Sequence, residues 1–277
     1  MLGYKEGSAE ILDFLNQKES EEKLQEASEP KTIQPSHQVL RLLQESRSTL
    51  GLPEVDIPES LDWRQRGKVS PVKDQGECGS CWAFAGIGHL EALLAIHENR
   101  EIDLSEQWAL QCSSGGGCWG GTYYAVLGQP KWGIFMFNID YRSLKTEAEY
   151  PYFANNNQFI KEEICLDTPQ VRFSKKITAL ATYRNPSDEI MKRILVRQGP
   201  FAVALNANGF FNYLGGVLDC SFLNTTSTNH AVLVVGYDSD GNWIIKNSWG
   251  TSKGEGGYVT ISKNANCNME SAAEIFF

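Results

Sequence analysis

The sequence lacks several features that would each indicate a particular class of protein. It contains no run of about 18 consecutive apolar residues, so it predicts no membrane-spanning helix. Acidic residues outnumber basic ones, giving a net charge of −9 and a pI near 5.1, which argues against a nucleic-acid partner. No internal repeat or low-complexity segment is present, and the length of 277 residues permits one large two-lobed domain or two small ones.

The amino-terminal segment also lacks the pattern of a secretory signal. Residues 1–18 contain no basic region followed by an apolar one. Residues 4–28 are rich in charge, with apolar residues at loosely helical spacing. We therefore expect residues 1–56 to be a short propeptide-like segment, truncated or divergent, or else a tail with no inhibitory role. Residues 57–277 are expected to form the main domain.

Residues 75–84 are the most informative segment of the chain. They place Cys81 at the start of an apolar helix, six residues after Gln75. The thiolate is the reactive form of cysteine, and the partial positive charge at a helix N-terminus helps to stabilise it. The sequence therefore predicts that Cys81 is a nucleophile.

The same segment permits two other interpretations, because Cys78 and Cys81 form a C-x-x-C motif. A redox motif of this kind would follow a buried strand, and residues 70–76 contain no convincing strand. A zinc site would need four ligands, and the cysteines that could supply them are Cys78, Cys81, Cys112 and Cys118. Neither alternative gives a function to Gln75.

A β-hairpin is predicted downstream. Residues 231–237 form a β-branched apolar run, residues 238–241 a turn and residues 242–246 a second run. If the chain folds back at this turn, residues whose numbers sum to about 479 lie opposite one another. The numbers of His230 and Asn247 sum to 477, so these residues lie within about two positions of direct pairing. Their Cβ atoms should then be within roughly 8 Å of each other. Asn247 can therefore orient His230. A purely structural histidine is the alternative, and the cysteine motif favours the catalytic interpretation.

Taken together, these motifs resemble the papain family of cysteine proteases, of the cathepsin L-like kind. The resemblance covers roughly residues 57–277. The matching segments are 61–64, 75–84, 104–107, 117–121, 229–232, 247–250 and 256–258. The resemblance implies an α+β papain-like fold of two lobes, with an active-site cleft between them. A helical lobe would carry Cys81, and an antiparallel, β-barrel-like lobe would carry His230 and Asn247.

The resemblance also implies a role for each candidate residue. Cys81 attacks the scissile carbonyl, and His230 takes its proton and later protonates the leaving amine. Asn247 holds the imidazole, and Trp249 shields that hydrogen bond from water. Gln75 donates to the developing oxyanion together with the backbone N–H of Cys81. The implied activity is that of a cysteine endopeptidase. The alternative is a poorly active homologue that binds peptides or inhibitors.

The seven cysteines are an odd number, as in an enzyme with one thiol and three disulfides. The pairs implied by the resemblance are Cys78–Cys118, Cys112–Cys165 and Cys220–Cys267. Disulfides imply an oxidising compartment, so a lysosomal or secreted protein is expected, and Asn224 is a candidate glycosylation site. We expect a monomer that needs no cofactor or metal, with protein or peptide substrates and cystatin-like inhibitors as partners.

The resemblance also maps the pocket for the residue two before the scissile bond. The residues that line it are Thr122, Tyr123, Ala204, Ala231 and Ala272. Next to this pocket, Gly120 and Gly121 would allow the substrate backbone to approach closely. These residues are mostly small or apolar, which favours an apolar or aromatic side chain. A slip of one residue would place Ser271 or Glu270 at the base instead. Lys253 stands where relatives carry a second tryptophan, and its presence is expected to weaken binding on the leaving-group side.

Overall fold

The computed structural model describes residues 55–113, 115–127, 144–153, 165, 171, 173–174, 179–223, 227–264 and 267–276. The glycosylation candidate Asn224 and nearly all of the propeptide-like segment lie outside these residues. No helix within the described part of the chain is long and apolar enough to cross a membrane.

Helix α1, Cys81–His97, is the central element of the fold. Every residue from Cys81 to Ala95 is buried, as expected for a helix that is apolar on all sides and enclosed by other elements. The shorter helices are α2 (Glu106–Cys112), α3 (Tyr124–Leu127), α4 (Asp188–Arg197) and a 3-10 helix (Asn208–Asn212). A serine side chain caps the start of each of two helices. Ser105 accepts the backbone N–H of Trp108 at the start of α2, and Ser187 accepts that of Ile190 at the start of α4.

The strands of the described residues form one eight-stranded sheet and one two-stranded sheet. The strands are β1 (Leu61–Asp62), β2 (Gly116–Gly117), β3 (Gly120–Gly121), β4 (Ala179–Arg184), β5 (Phe201–Leu205), β6 (Val217–Leu218), β7 (His230–Tyr237), β8 (Trp243–Lys246), β9 (Tyr258–Ile261) and β10 (Ser271–Phe276). The large sheet has the order β4-β10-β5-β7-β8-β9-β6, with β1 paired to β7, and β2 pairs with β3. The predicted α+β class is confirmed. The sheet is mixed rather than purely antiparallel, because β6 runs parallel to β9.

The large sheet separates the two largest hydrophobic clusters of the described residues. On the face towards α1, β5 and β7 present small side chains, among them Ala202, Ala204 and Ala231. On the other face, β-branched residues such as Val203 and Val232 pack with α4. Alternation along the strands produces these two faces. Because alanines lie under α1, the helix packs closely on the sheet, and its first residue meets the first residues of β7.

Candidate active site

Cys81 is the first residue of α1 and the one cysteine among the described residues that is not in a disulfide. The backbone N–H of Ala231 donates a hydrogen bond to its Sγ atom, at 3.4 Å. The N-terminus of α1 adds partial positive charge at the same place. Both features favour the thiolate over the thiol. Cys81 is fully buried, which disfavours its charged form, and these two features oppose that effect.

The predicted hairpin brings His230 and Asn247 together. Strand β7 pairs with β8 in the expected register, since Leu233 lies opposite Lys246. The Nε2 atom of His230 is 2.8 Å from Oδ1 of Asn247. The same Oδ1 accepts the backbone N–H of Ser248, at 2.8 Å, which fixes the orientation of the amide. An oxygen at this position requires Nε2 of His230 to be the protonated nitrogen.

The other ring nitrogen of His230, Nδ1, is buried and has no hydrogen-bond partner. Burial lowers the pKa of His230 to about 4, although its bond to Asn247 opposes the shift. The imidazole is thus held neutral, with its Nδ1 lone pair ready to take a proton. An anion formed next to the ring, such as the Cys81 thiolate, would stabilise the protonated form.

Aromatic side chains cover the histidine. The Trp249 ring lies 4.9 Å from the His230 ring, tilted by 35°. Phe210 meets both rings edge-on, at 6.3 Å from His230 and 6.1 Å from Trp249. Apolar surroundings of this kind strengthen a hydrogen bond by keeping water away from it. The Trp249 ring therefore lies against the His230 ring, and its shielding role stays a prediction.

Gln75 is buried and fixed at both ends of its side-chain amide. Its Nε2 donates to the carbonyl of Cys78, at 2.9 Å, and its Oε1 accepts from the hydroxyl of Ser248, at 2.6 Å. Its backbone N–H also donates to the carbonyl of Ser248, at 2.8 Å. Ser248 therefore joins the segment before α1 to the end of the hairpin. No role for Ser248 was predicted, although it lies directly between Asn247 and Trp249.

Tyr152 is a second residue at the site that sequence reasoning missed. Its hydroxyl donates to the carbonyl of Gln75, at 2.8 Å, and lies 2.7 Å from the hydroxyl of Ser80. Burial raises the pKa of this hydroxyl to about 12, so it stays protonated as a donor. Ser80 precedes α1, but its side chain makes no capping hydrogen bond to the helix. No motif in the sequence singles out this tyrosine.

The remaining six cysteines form three disulfides, with the pairs that the resemblance implies. They are Cys78–Cys118, Cys112–Cys165 and Cys220–Cys267. The C-x-x-C interpretations are wrong, because Cys78 is bonded to Cys118 rather than to Cys81, and three of the four proposed zinc ligands are in disulfides. Among the described residues no group of three or more His, Cys, Asp and Glu side chains could hold a metal ion.

The structure also requires glycine at Gly120 and Gly121, the two positions predicted to lie next to the substrate backbone. A Cβ atom added at Gly121 would lie 2.6 Å from the Trp82 ring and 2.3 Å from the carbonyl oxygen of Gly115. Gly120 has a φ of 110°, a conformation that favours glycine. Both residues are buried in the two-stranded sheet that packs on α1. A side chain here would displace the start of α1, and with it Cys81.

The structure brings together only some of the predicted pocket residues. Ala204 pairs with Ala231 across β5 and β7, so their side chains share the face towards α1. Tyr123 is fully buried in the same core, and its hydroxyl lies 3.1 Å from the hydroxyl of Ser271. Thr122 is partly buried next to it. These residues form one continuous row.

Ala272 does not belong to that row. In β10 it lies opposite Val203 and packs in the second core, on the far face of the sheet. Ser271 lies opposite Ala204 instead, so its side chain is on the face of Ala204 and Ala231. A shift of one residue along a strand moves a side chain to the other face. Ser271, the alternative that a one-residue slip would give, therefore lies on the face of Ala204 and Ala231, and Ala272 does not.

Comparison with known proteins agrees with this geometry. A family model described as papain family cysteine protease matches residues 57–277. A viral cathepsin of Heliothis zea nuclear polyhedrosis virus is 37% identical over 228 residues, which are 80% of this chain and 57% of that protein. Cysteine proteinase B of Leishmania mexicana is 37% identical over 214 residues, which are 76% of this chain and 46% of that protein. The chain thus spans about half of the length of these relatives.

Solved structures give the same result. The bromelain protease from Ananas comosus, in complex with the E64 inhibitor, has a TM-score of 0.64 and 35% identity, covering 80% of this chain and all of the bromelain chain. The digestive procathepsin L2 proteinase from Tenebrio molitor larval midgut has a TM-score of 0.67 and 30% identity, covering 83% and 72% of the two chains. The chain belongs to the papain family of cysteine proteases.

Proposed function

We propose that the protein is a cysteine endopeptidase, with Cys81 as nucleophile, His230 as acid and base, Asn247 as the residue that orients His230, and Gln75 as an oxyanion donor. The observation that carries the proposal is the arrangement of His230. Its Nε2 is held by Asn247, its Nδ1 has no hydrogen-bond partner, and the next residue in the chain donates its backbone N–H to the Cys81 sulfur.

Acylation would begin with transfer of the Cys81 proton to Nδ1 of His230. The sulfur forms a bond to the scissile carbonyl carbon, and the carbonyl π electrons move to the oxygen. The Gln75 amide and the Cys81 backbone N–H donate to this oxyanion. The carbon–nitrogen bond then breaks, His230 gives its proton to the leaving amine, and a thioester remains on Cys81.

Deacylation would use the same groups in reverse order. His230 takes a proton from water, and the resulting hydroxide oxygen bonds to the thioester carbon. The carbon–sulfur bond breaks, the Cys81 sulfur regains a proton from His230, and the carboxyl product leaves. Asn247 keeps Nδ1 directed at the reacting atoms through both steps, and Trp249 keeps water from its bond to His230.

The pocket residues and the disulfides support proposals for the preferred substrate and for the cellular compartment. The row of Ala204, Ala231 and Ser271 is small, so it favours an apolar or aromatic side chain two residues before the scissile bond. Three disulfides suit a secreted or lysosomal protein. We propose that residues 57–277 act as a monomer on protein substrates, that residues 1–56 are propeptide-like, and that cystatin-like proteins inhibit the enzyme.

Covalent labelling tests the proposal directly. The protein, trimmed of residues 1–56, is treated with an epoxide inhibitor specific for thiol proteases, and the adduct is located by mass. We expect one adduct, on Cys81, that is lost in His230→Ala. We also expect internal cleavage of a peptide blocked at both ends that carries Phe or Leu two residues before the bond.

The disulfide-bonded cysteines serve as internal controls, because they should remain unlabelled. Absence of both adduct and cleavage in a folded, trimmed protein would overturn the proposal. The poorly active homologue that binds peptides or inhibitors would then be the better interpretation.

A further inference from the structure

The hydroxyl of Tyr152 is the middle member of a chain of three hydrogen-bonding groups. It lies 2.8 Å from the backbone carbonyl of Gln75 and 2.7 Å from the hydroxyl of Ser80. Because a carbonyl can only accept, the single proton of the phenol is used on Gln75, and Ser80 must be the donor in the other contact. The chain therefore runs in one direction, from Ser80 through Tyr152 to Gln75.

Tyr152 thus joins the two residues that carry the proposed oxyanion donors. Gln75 carries the side-chain amide, and the peptide bond between Ser80 and Cys81 carries the backbone N–H of Cys81. Donors of this kind are effective only when they lie about 2.7–3.1 Å from the place that the oxyanion will occupy. The distance between the two donors therefore has to be fixed, and Tyr152 bonds on both sides of it.

The loop between the two donors is short and rich in glycine. Two of its four residues are Gly76 and Gly79, and Gly76 has a φ of 59°, in the region that favours glycine. The Cys78–Cys118 disulfide holds the middle of this loop. The bonds of Gln75 to Ser248 hold it to the end of the hairpin. Tyr152 adds a side-chain link from Gln75 to the residue before α1.

Tyr152 is itself held in place by both helices of this region. Its backbone N–H donates to the carboxylate of Glu147, at 2.7 Å. Its ring meets Phe84, in the first turn of α1, edge-on at 4.9 Å and 84°. The backbone N–H of the next residue, Phe153, donates to the side chain of Gln107 in α2, at 3.1 Å. A supporting residue that is fixed in this way can hold a site to the precision that catalysis needs.

We propose that Tyr152 is a positioning residue for the oxyanion hole, whose hydroxyl holds Gln75 at a fixed distance from the backbone N–H of Cys81. This inference rests on the proposed protease function. Tyr152 acts through Gln75, so its effect should be confined to reactions in which negative charge develops on a carbonyl oxygen. Alkylation of Cys81 by iodoacetamide is not such a reaction, because the sulfur bonds to the methylene carbon and iodide leaves.

The test compares these two kinds of reaction in Tyr152→Phe, which removes the hydroxyl and keeps the ring beside Phe84. We expect kcat/KM for a peptide to fall about tenfold or more, since a misplacement of about 1 Å can cost about 100-fold. Inhibition by a peptide aldehyde should weaken by a similar factor, because its carbonyl oxygen takes the oxyanion position when its carbon bonds to Cys81. The rate of alkylation by iodoacetamide should change by less than about twofold, because no oxyanion forms.

Tyr150→Phe is the matched control. It is the same substitution two residues away, and the hydroxyl that it removes bonds to Gln111 in α2. Turnover, aldehyde inhibition and alkylation should all stay close to those of the unmodified protein. Ser80→Ala breaks the proposed chain at its other end and should show the same selective loss, so it also serves as the test if Tyr152→Phe does not fold.

A double variant tests whether Tyr152 acts through Gln75. In a Gln75→Ala background the side chain that Tyr152 positions is absent, so Tyr152→Phe should lower kcat/KM by a smaller factor than it does in the unmodified protein. Losses that simply multiply would contradict the proposal.

The outcomes separate this inference from the proposed function. Labelling of Cys81 and cleavage by the unmodified protein, with unchanged kcat/KM in a folded Tyr152→Phe, would overturn the role of Tyr152 alone. So would an equal loss of turnover and alkylation, which would mean that the variant disturbs the thiol itself, or an equal loss in Tyr150→Phe. Absence of both adduct and cleavage in the unmodified protein would overturn both proposals together.

Discussion

A single oxygen, Oδ1 of Asn247, fixes the protonation pattern of His230. It lies 2.8 Å from Nε2 of His230 and also accepts the backbone N–H of Ser248, at 2.8 Å. The second bond prevents the amide from presenting its nitrogen to the ring, because a nitrogen there would face the N–H donor of Ser248. Nε2 of His230 must therefore carry the proton, and Nδ1 is left as the acceptor.

Replacement of Asn247 tests whether this orientation matters for turnover. Asn247→Ala should lower kcat/KM by about 100-fold, since a ring misplaced by about 1 Å has an effect of that size. Asn247→Asp should retain more activity, because a carboxylate accepts the same two hydrogen bonds. It should also raise the pKa of His230 and move the acid limit of activity to higher pH, because a base with a higher pKa is protonated at higher pH. Profiles of kcat/KM against pH measure both effects.

Equal activity of the alanine and aspartate variants would contradict this account, because it would mean that the accepted hydrogen bonds have no effect on the rate. Circular dichroism and the unfolding midpoint establish that both variants are folded before the comparison is made.

Gln75 and Ser248 form a matched pair for testing the oxyanion donor. Gln75→Ala removes the amide donor and should lower kcat by about 100- to 1,000-fold. It should also lower the free energy of unfolding by about 1–3 kcal/mol, because it leaves the Ser248 hydroxyl without the acceptor to which it donates. Ser248→Ala breaks the same bond but leaves the amide in place.

The comparison therefore separates catalysis from stability. Ser248→Ala should lower the free energy of unfolding by a similar amount and lower kcat far less. If both variants lose the same rate, Gln75 acts only as a structural link, and its assignment as a donor fails.

Because His89 is buried, we expect the free energy of unfolding to fall in acid. It is fully buried in α1, and its Nδ1 accepts the backbone N–H of Ala202, at 3.4 Å. Burial lowers the pKa of His89 to about 3 from an ordinary value of 6.5. As the pH falls below 6.5, the unfolded chain binds a proton that the folded protein does not bind until about pH 3, so unfolding becomes progressively easier.

His89→Gln should reduce this dependence. The difference in unfolding free energy between about pH 7 and pH 4.5, from urea titrations, should be smaller in the variant than in the unmodified protein. His97→Gln, at the partly exposed end of the same helix, is the histidine control. If the two variants have the same pH dependence, then His89 is not the group responsible.

The fourth prediction concerns a cluster of charged side chains at α1, formed by Lys73, Glu91 and Glu106. The Lys73 ammonium lies 3.1 Å from Glu91 and 2.7 Å from Glu106, both of which are buried. Burial lowers the pKa of Lys73, but the two carboxylates raise it more, so the net shift is upward. Lys73→Met leaves two buried carboxyl groups without their cation and should cost about 3–5 kcal/mol of unfolding free energy.

Burial raises the pKa of Glu106 and Lys73 opposes this shift, so the Glu106 carboxyl is more easily neutralised than an exposed one. Glu106→Gln should therefore cost less than Lys73→Met, and the double variant should recover part of the loss. A double variant as unstable as the sum of the two single ones would contradict this coupling. Thermal and urea unfolding both give the required free energies.

Sequence alone could predict contacts between residues that are close in the chain, but not contacts between distant segments. The pairing of His230 with Asn247 was predictable because one short turn sets the register of β7 and β8. The register of β10 against β5 depends on a pairing between distant segments, so Ala272 was placed where Ser271 lies. Tyr152 was missed for the same reason, since its partner Gln75 is 77 residues away.

The wide separation of the reacting groups has a consequence for biosynthesis. Cys81 and Ala231 are 150 residues apart in the chain. A ribosome adding about 5–20 residues per second makes the thiol roughly 8 to 30 s before the strand that carries His230. During this interval the growing chain holds a cysteine without its proton acceptor. For the proposed endopeptidase, the growing chain could therefore not cut itself or its neighbours during this interval.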